Sequence, residues 1–414
     1  MGAYRIEGGT PLRGELTVHG AKNSVLPILA ATLLTGDVCV LHNCPRITDV
    51  DTALEILEHL GCTTQWQGDT LRICTYEAVP KPIPATMTGK MRGAVIFLGA
   101  LLARFRQGCL SYPGGCALGE RPIDLHLSGL EHLGYSCAED GDYIRCKGEE
   151  PRGGIVALTF PSVGATENLI LGAIGCSGTT ILCNVAREPE IGDLMGFLRT
   201  CGAEIVDRGS VVEIRGGKNL RGGEYRVMSD RMEAATYMAA TAATRGDVTL
   251  QGVVPTHLRA VTEVLRKAGC EIWERPDSIR IVSQGIRGVS PIKTAPYNGF
   301  PTDAQAPVMA VLACGKGISV LEESIFSDRF LHVPGLKAMG AKICASRHYA
   351  IIEGVEQLHG SNVEATDLRG GAALVIGALS AKGFSRIGKT EHMERGYEEF
   401  AKNLSRLGGK IRME

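Results

Sequence analysis

Residues 262–281, TEVLRKAGCEIWERPDSIRI, decide the fold. The opening turns mix apolar and charged residues as an outward-lying amphipathic helix does. Gly269 then stands where a left-handed C-cap is needed to turn the chain, and two short strands follow. The same phrase recurs along the whole sequence. It reads EILEHLGCTTQWQGDTLRI at 55–73, SGLEHLGYSCAEDGDYIRC at 128–146 and MGFLRTCGAEIVDRGSVVEI at 195–214. It returns as PGLKAMGAKICASRHYAII at 334–352 and, cut short, as KNLSRLGGKIRME at 402–414. The glycines at the helix ends are Gly61, Gly134, Gly202, Gly269, Gly340 and Gly408, roughly 70 residues apart. That period is too long for a solenoid and suits a small α/β subdomain.

The other half of each unit also repeats, as an Ala/Leu-rich helix, a glycine and a short strand. Examples are LPILAATLLTGDVCVLHN (26–43), TYMAATAATRGDVTLQG (236–252) and LVIGALSAKGFSRIGKT (374–390). These helices are apolar nearly all round, so they should be buried. The unit is βαβαββ, with strands around buried helices. The sixth copy ends one strand short, and the N-terminal strands in YRIEGG and GELTVHG can complete it. Three repeats then make a domain at 22–229, and three more, with 1–21, make a second domain at 230–414. Two chain crossings imply a hinge with a cleft beside it, a common place for a ligand.

A chain of 414 residues with 44% hydrophobic and 21% charged content is globular and too long for one ordinary core. Lys+Arg at 44 against Asp+Glu at 45 gives a net charge of -1, which argues against nucleic acid as the main partner. There is no leader pattern at the start and no apolar run long enough to span a bilayer. The 14 cysteines have no C-x-x-C spacing and read as reduced thiols in a cytoplasmic protein. No metal-ligand spacing appears, and no cofactor is expected.

Each buried helix begins at a polar cluster: Lys22-Asn23, Lys90 to Arg92, Ser162 to Thr166, Asp230-Arg231, Thr302-Asp303 and Asp367 to Arg369. Helix N-termini attract anions, and added Lys or Arg suits phosphates and carboxylates. The plainer reading is that Ser162, Asp230, Asp303 and Asp367 are N-caps. SYPGGCALGERPIDLH, 111–126, breaks the repeat pattern. It puts Cys116 after two glycines and near Arg121, whose guanidinium lowers a thiol's pKa. His126, beside the next helix, reads as a structural hydrogen bonder.

These segments, in this order, resemble the UDP-N-acetylglucosamine 1-carboxyvinyltransferases, enolpyruvyl transferases that open peptidoglycan synthesis. The likeness runs essentially end to end, through Gly20-Ala21-Lys22-Asn23, Pro113-Gly114-Gly115-Cys116, Arg121 to His126, Ser162 to Thr166 and Ala186 to Glu190. It continues through Phe300 to Asp303, Arg329-Phe330, Ala365 to Arg369 and Arg395 to Tyr397. The resemblance implies two inside-out α/β barrel domains of three βαβαββ repeats each, with the active site in the interdomain cleft. It implies addition of the sugar 3′-hydroxyl to phosphoenolpyruvate, then elimination of phosphate.

By the family's pattern Cys116 is the acid and a site of covalent adduct formation, and Asp303 is the base. Lys22, Arg121 and Arg395 would hold phosphoenolpyruvate, with Arg92, Arg329 and Arg369 completing a positive cleft. Asn23, Arg92, Arg121, Pro122, Ile123, Asp124, Leu125, Ser162, Val163, Gly164, Asp303 and Ile325 would contact UDP-N-acetylglucosamine. A cysteine at 116 further implies alkylation by fosfomycin. Glu394 stands where Asp is common, and Phe160-Pro161 where some relatives have a basic residue, so the resemblance implies one phosphate contact fewer here. A monomer is expected, with no membrane insertion. Rival readings are a shikimate 3-phosphate enzyme, an RNA-end-processing protein and a catalytically weak regulatory paralogue.

Overall fold

The computed structural model describes residues 2–114 and 123–414. The chain divides into two compact units, one of residues 2–19 and 229–414, the other of 20–114 and 123–228.

One repeat of the second unit shows the plan. The strand Ile155–Ala157 leads into the helix Val163–Ile174, and the chain returns as Thr179–Cys183, parallel to the first strand. The helix Pro189–Thr200 and the hairpin Glu204–Asp207 with Val211–Arg215 complete a four-stranded sheet, whose third and fourth strands stack beyond the second. A parallel pair needs a long crossover, and the buried helix supplies it. The same strand order holds for Arg13–Thr17, Asp247–Gln251, Glu271–Arg275 and Ser278–Val282 in the first unit. There the opening strand comes from before residue 20. In the second unit Glu224–Arg226, at the far end of its sequence, is the strand that opens the sheet of Val38–His42. Ala3–Glu7 lies between Phe384–Gly388 and Lys410–Met413, the place left open by the truncated sixth copy.

Burial follows composition. All thirteen residues of the helix Arg231–Ala243 are buried, and it packs with Gln305–Ala313 and Leu368–Ser380 at the centre of the first unit. Arg259–Lys267, the helix of the opening quotation, buries only Val261, Thr262 and Leu265. The six helix-end glycines have φ of 95°, 83°, 100°, 104°, 92° and 89°, the left-handed region that glycine enters at least cost.

One expectation is corrected. Cys137 and Cys146, read as thiols, form a disulfide. A nine-residue separation hides the pairing in the sequence, but the antiparallel register sets the two directly opposite across the hairpin Ser136–Asp140 and Tyr143–Lys147. No described helix is long and apolar enough to cross a membrane.

Candidate active site

In the first unit three buried helices begin at Asp230, Thr302-Asp303 and Asp367. Asp230 caps its helix through the Met232 and Glu233 N–H groups at 2.7 and 3.0 Å, and Asp367 does so through Arg369 and Gly370 at 3.1 and 3.0 Å. Asp303 behaves differently. It lies inside the 3-10 turn Thr302–Ala304, where the cap position is held by Pro301. Its carboxylate accepts Arg329 Nη2 at 2.7 Å and Arg369 Nε at 3.2 Å. Both arginines are buried, with side chains 3% and 2% exposed, while Asp303 remains 29% exposed. The plain capping reading therefore holds for Asp230 and Asp367 and fails for Asp303.

Tyr397 braces the pair from behind, its ring 5.1 Å from the Arg369 guanidinium and its hydroxyl 2.8 Å from Thr236 Oγ1. Burial works against charge on Arg369, yet Tyr397, Asp303 and Asp230 hold its pKa above the ordinary arginine value. Arg395, half-buried, closes the short helix Glu391–Glu394, and Ile325 is half-buried beyond the strand Ile318–Glu322.

In the second unit Lys22 is the first residue of its helix, which has no side-chain cap. Lys22 Nζ lies 2.6 Å from Asp49 Oδ2, and Asp49 is 4% exposed. Ser24 donates to Asp193, which also accepts the Tyr225 hydroxyl at 2.7 Å and the Met228 N–H at 3.1 Å. Asn23 is exposed between these anchors. Arg92 opens a 3-10 helix and donates to the Pro113 carbonyl at 3.1 Å. Ser162 caps the third buried helix through the Ala165 N–H. Val163, Gly164 and Leu125 are half-buried, Ile123 is buried and Asp124 exposed. Cys116, Arg121 and Pro122 lie outside the described residues.

His126 is fixed as a structural group. Asn168 Nδ2 donates to its Nδ1 at 3.0 Å, while the Asn168 amide also reaches Val95 O and the Gly99 N–H. Burial first, and Arg92 second, push its pKa down to about 4. The folded protein thus carries a neutral imidazole where the unfolded chain binds a proton below pH 6.5. Stability from this site is complete above that pH and is lost as pH falls toward 4, by up to ~3 kcal/mol. We expect His126→Gln to flatten the fall in urea midpoint between pH 6.5 and 4.5. An unchanged slope would contradict this origin.

The structure thus groups Asp303, Arg329 and Arg369 within the first unit, and Lys22, Arg92 and Ser162 to Gly164 near one another within the second. Gly93 approaches Leu26 of the Lys22 helix, and Gly164 approaches the His126 ring beside Arg92. Asp49 carries no signal in the sequence, because ITDVDT reads as an ordinary acidic helix start. Among the described residues no three His, Cys, Asp or Glu side chains form a metal-binding group.

The family model described as EPSP synthase (3-phosphoshikimate 1-carboxyvinyltransferase) matches residues 6–404. The chain belongs to the EPSP synthase family. Within this family it is 44% identical, over 99% of both chains, to UDP-N-acetylglucosamine 1-carboxyvinyltransferase 2 of Caldanaerobacter subterraneus subsp. tengcongensis. It is 42% identical to UDP-N-acetylglucosamine 1-carboxyvinyltransferase of Nitratidesulfovibrio vulgaris, over 98% of each chain. Among solved structures of the EPSP synthase family fold, the enolpyruvyl transferase NikO from Streptomyces tendae superposes with a TM-score of 0.89. It is 22% identical, covering 100% of this chain and 98% of NikO. EPSP synthase from Acinetobacter baumannii gives 0.75 at 20% identity, with 100% of both chains covered.

Proposed function

We propose that this chain transfers the enolpyruvyl group of phosphoenolpyruvate to the 3′-hydroxyl of UDP-N-acetylglucosamine, releasing phosphate, as the first committed step of cytoplasmic peptidoglycan synthesis. What carries the reading is identity of 41–44% along nearly the full chain with relatives of that name. The Asp303 geometry supports it: a carboxylate at a helix start that faces two buried guanidiniums rather than capping.

The 3′-oxygen attacks C2 of phosphoenolpyruvate and passes its proton to Asp303, while Cys116 protonates C3. The tetrahedral phospho-ketal then loses a proton from C3 and its phosphate, which leaves the enolpyruvyl ether. Lys22, Arg121 and Arg395 neutralise the phosphate and carboxylate, where fixed cations stabilise charge that moves during reaction. Asn23, Arg92, the segment Arg121 to Leu125, Ser162 to Gly164 and Ile325 hold the nucleotide sugar. An anionic substrate that draws on Arg329 or Arg369 would free a carboxylate oxygen of Asp303 to accept the 3′-hydroxyl.

Mass spectrometry of the nucleotide sugar after incubation with phosphoenolpyruvate tests the proposal, and an unaltered sugar beside consumed phosphoenolpyruvate would sink it. Fosfomycin supplies a second check. Its epoxide should alkylate the Cys116 thiolate, so prolonged exposure with the nucleotide sugar present should abolish activity irreversibly. Full activity after dialysis would contradict the role of the thiol.

A further inference from the structure

Glu323 follows the strand Ile318–Glu322 in a run, Glu322-Glu323-Ser324, that reads as an exposed acidic strand end. Its neighbour Glu322 pairs with Lys293 at 2.8 Å, on the outside. Glu323 is completely buried. A buried carboxylate is tolerated only when it is hydrogen-bonded, and here both of its oxygens are. Oε1 accepts the Thr294 hydroxyl at 2.9 Å and the N–H groups of Ile325 and Phe326 at 2.8 and 3.2 Å. Oε2 accepts the Thr302 hydroxyl at 2.9 Å.

Those donors come from three segments, and two of them carry residues of the candidate site. Thr302 immediately precedes Asp303, and its carbonyl accepts Arg329 Nε and Nη2 at 3.3 and 3.2 Å. Ile325 opens the segment that runs on to Arg329. We propose that Glu323 is a positioning residue for the transfer: its two oxygens set the Ile325 peptide and the Thr302-Asp303 turn in one register. The Asp303–Arg329 pair follows from that register. The proposal rests on the substrate reading above for the roles of Ile325 and Asp303.

Three variants separate positioning from simple stapling. In Glu323→Gln the amide oxygen keeps the Oε1 contacts, and the NH2 donates to the Thr302 hydroxyl, which can accept. Glu323→Ala removes all four bonds, and Thr302→Val removes the Oε2 bond alone. Misplacement by about 1 Å costs ~10²-fold, so we expect kcat/KM for the nucleotide sugar to fall about that far in Glu323→Ala. Glu323→Gln should stay within about threefold of the parent. Thr302→Val should lose about tenfold in kcat, with nucleotide-sugar affinity by calorimetry changed less than about twofold.

A folded Glu323→Ala protein with a lowered urea midpoint but parental kcat/KM would overturn the proposal and leave a structural staple. Should Glu323→Ala fail to fold, an undiminished kcat in Thr302→Val overturns it equally. If the parent turns over shikimate 3-phosphate and ignores the nucleotide sugar, the substrate reading fails. The kcat comparison is then made with that acceptor and judged by the same outcomes.

Discussion

We expect replacement of Cys116 with alanine to lower kcat for phosphate release by ~10²–10⁴-fold, the range that a positioned proton donor contributes. The methylene carbon of phosphoenolpyruvate is a poor base, and without a positioned acid at C3 the attack at C2 reaches the tetrahedral adduct only slowly. KM for the nucleotide sugar should change little, because the thiol is assigned to the other substrate. The described residues just before Cys116 are well anchored: Arg92 holds the Pro113 carbonyl, and the Gly114 N–H donates to Thr88 O at 3.1 Å. Alanine at 116 thus removes the proposed acid without removing these anchors. Cys116→Asp separates acid from nucleophile. A carboxyl group also donates a proton, so turnover should persist, while the thiolate that attacks an epoxide is gone. Fosfomycin should then fail against an active enzyme. Steady-state phosphate assays with and without the drug read both effects, and a fully active alanine variant would remove Cys116 from the mechanism.

Asp303→Ala carries the second large effect, on two axes. Loss of the proposed base should cost ~10²–10⁴-fold in kcat. Two guanidiniums, 3% and 2% exposed, also lose their carboxylate, and stranding buried charge costs on the order of 3 kcal/mol. Asp303→Asn divides the two. The amide oxygen still accepts from one arginine, but it brings no charge and its NH2 faces the other guanidinium, so stability should return only in part, while kcat stays low because an amide takes no proton. Urea midpoints and kcat measured on both variants check this. Recovery of kcat in the asparagine variant would show that Asp303 serves only to hold Arg329 and Arg369.

The repeat was legible because it is marked by residues whose physics is local. A glycine at φ near 90° ends each outer helix, and an Ala/Leu run marks each buried one. The opening strands were harder. Glu224–Arg226 is three residues long and opens the sheet of Val38–His42, a register that nothing in its own sequence announces. The same is true of Cys137 and Cys146, which register rather than spacing brings together.

At the site, residue type located the clusters but could not assign partners. Asp230, Asp303 and Asp367 look alike in sequence, and only the structure separates the second from the other two, by its place inside a 3-10 turn and by Arg329 and Arg369 beside it. Lys22 was legible as a cation at a helix start, whereas Asp49 beside it was not, since an acid in a first helical turn is ordinary. Glu323 was invisible because burial, not neighbouring sequence, distinguishes it from Glu322.

The most direct test is phosphate release from phosphoenolpyruvate by the intact protein, measured with UDP-N-acetylglucosamine, with shikimate 3-phosphate and with no acceptor. Release only with the nucleotide sugar is the predicted result. Release with shikimate 3-phosphate, or with neither acceptor, would contradict the proposed reaction.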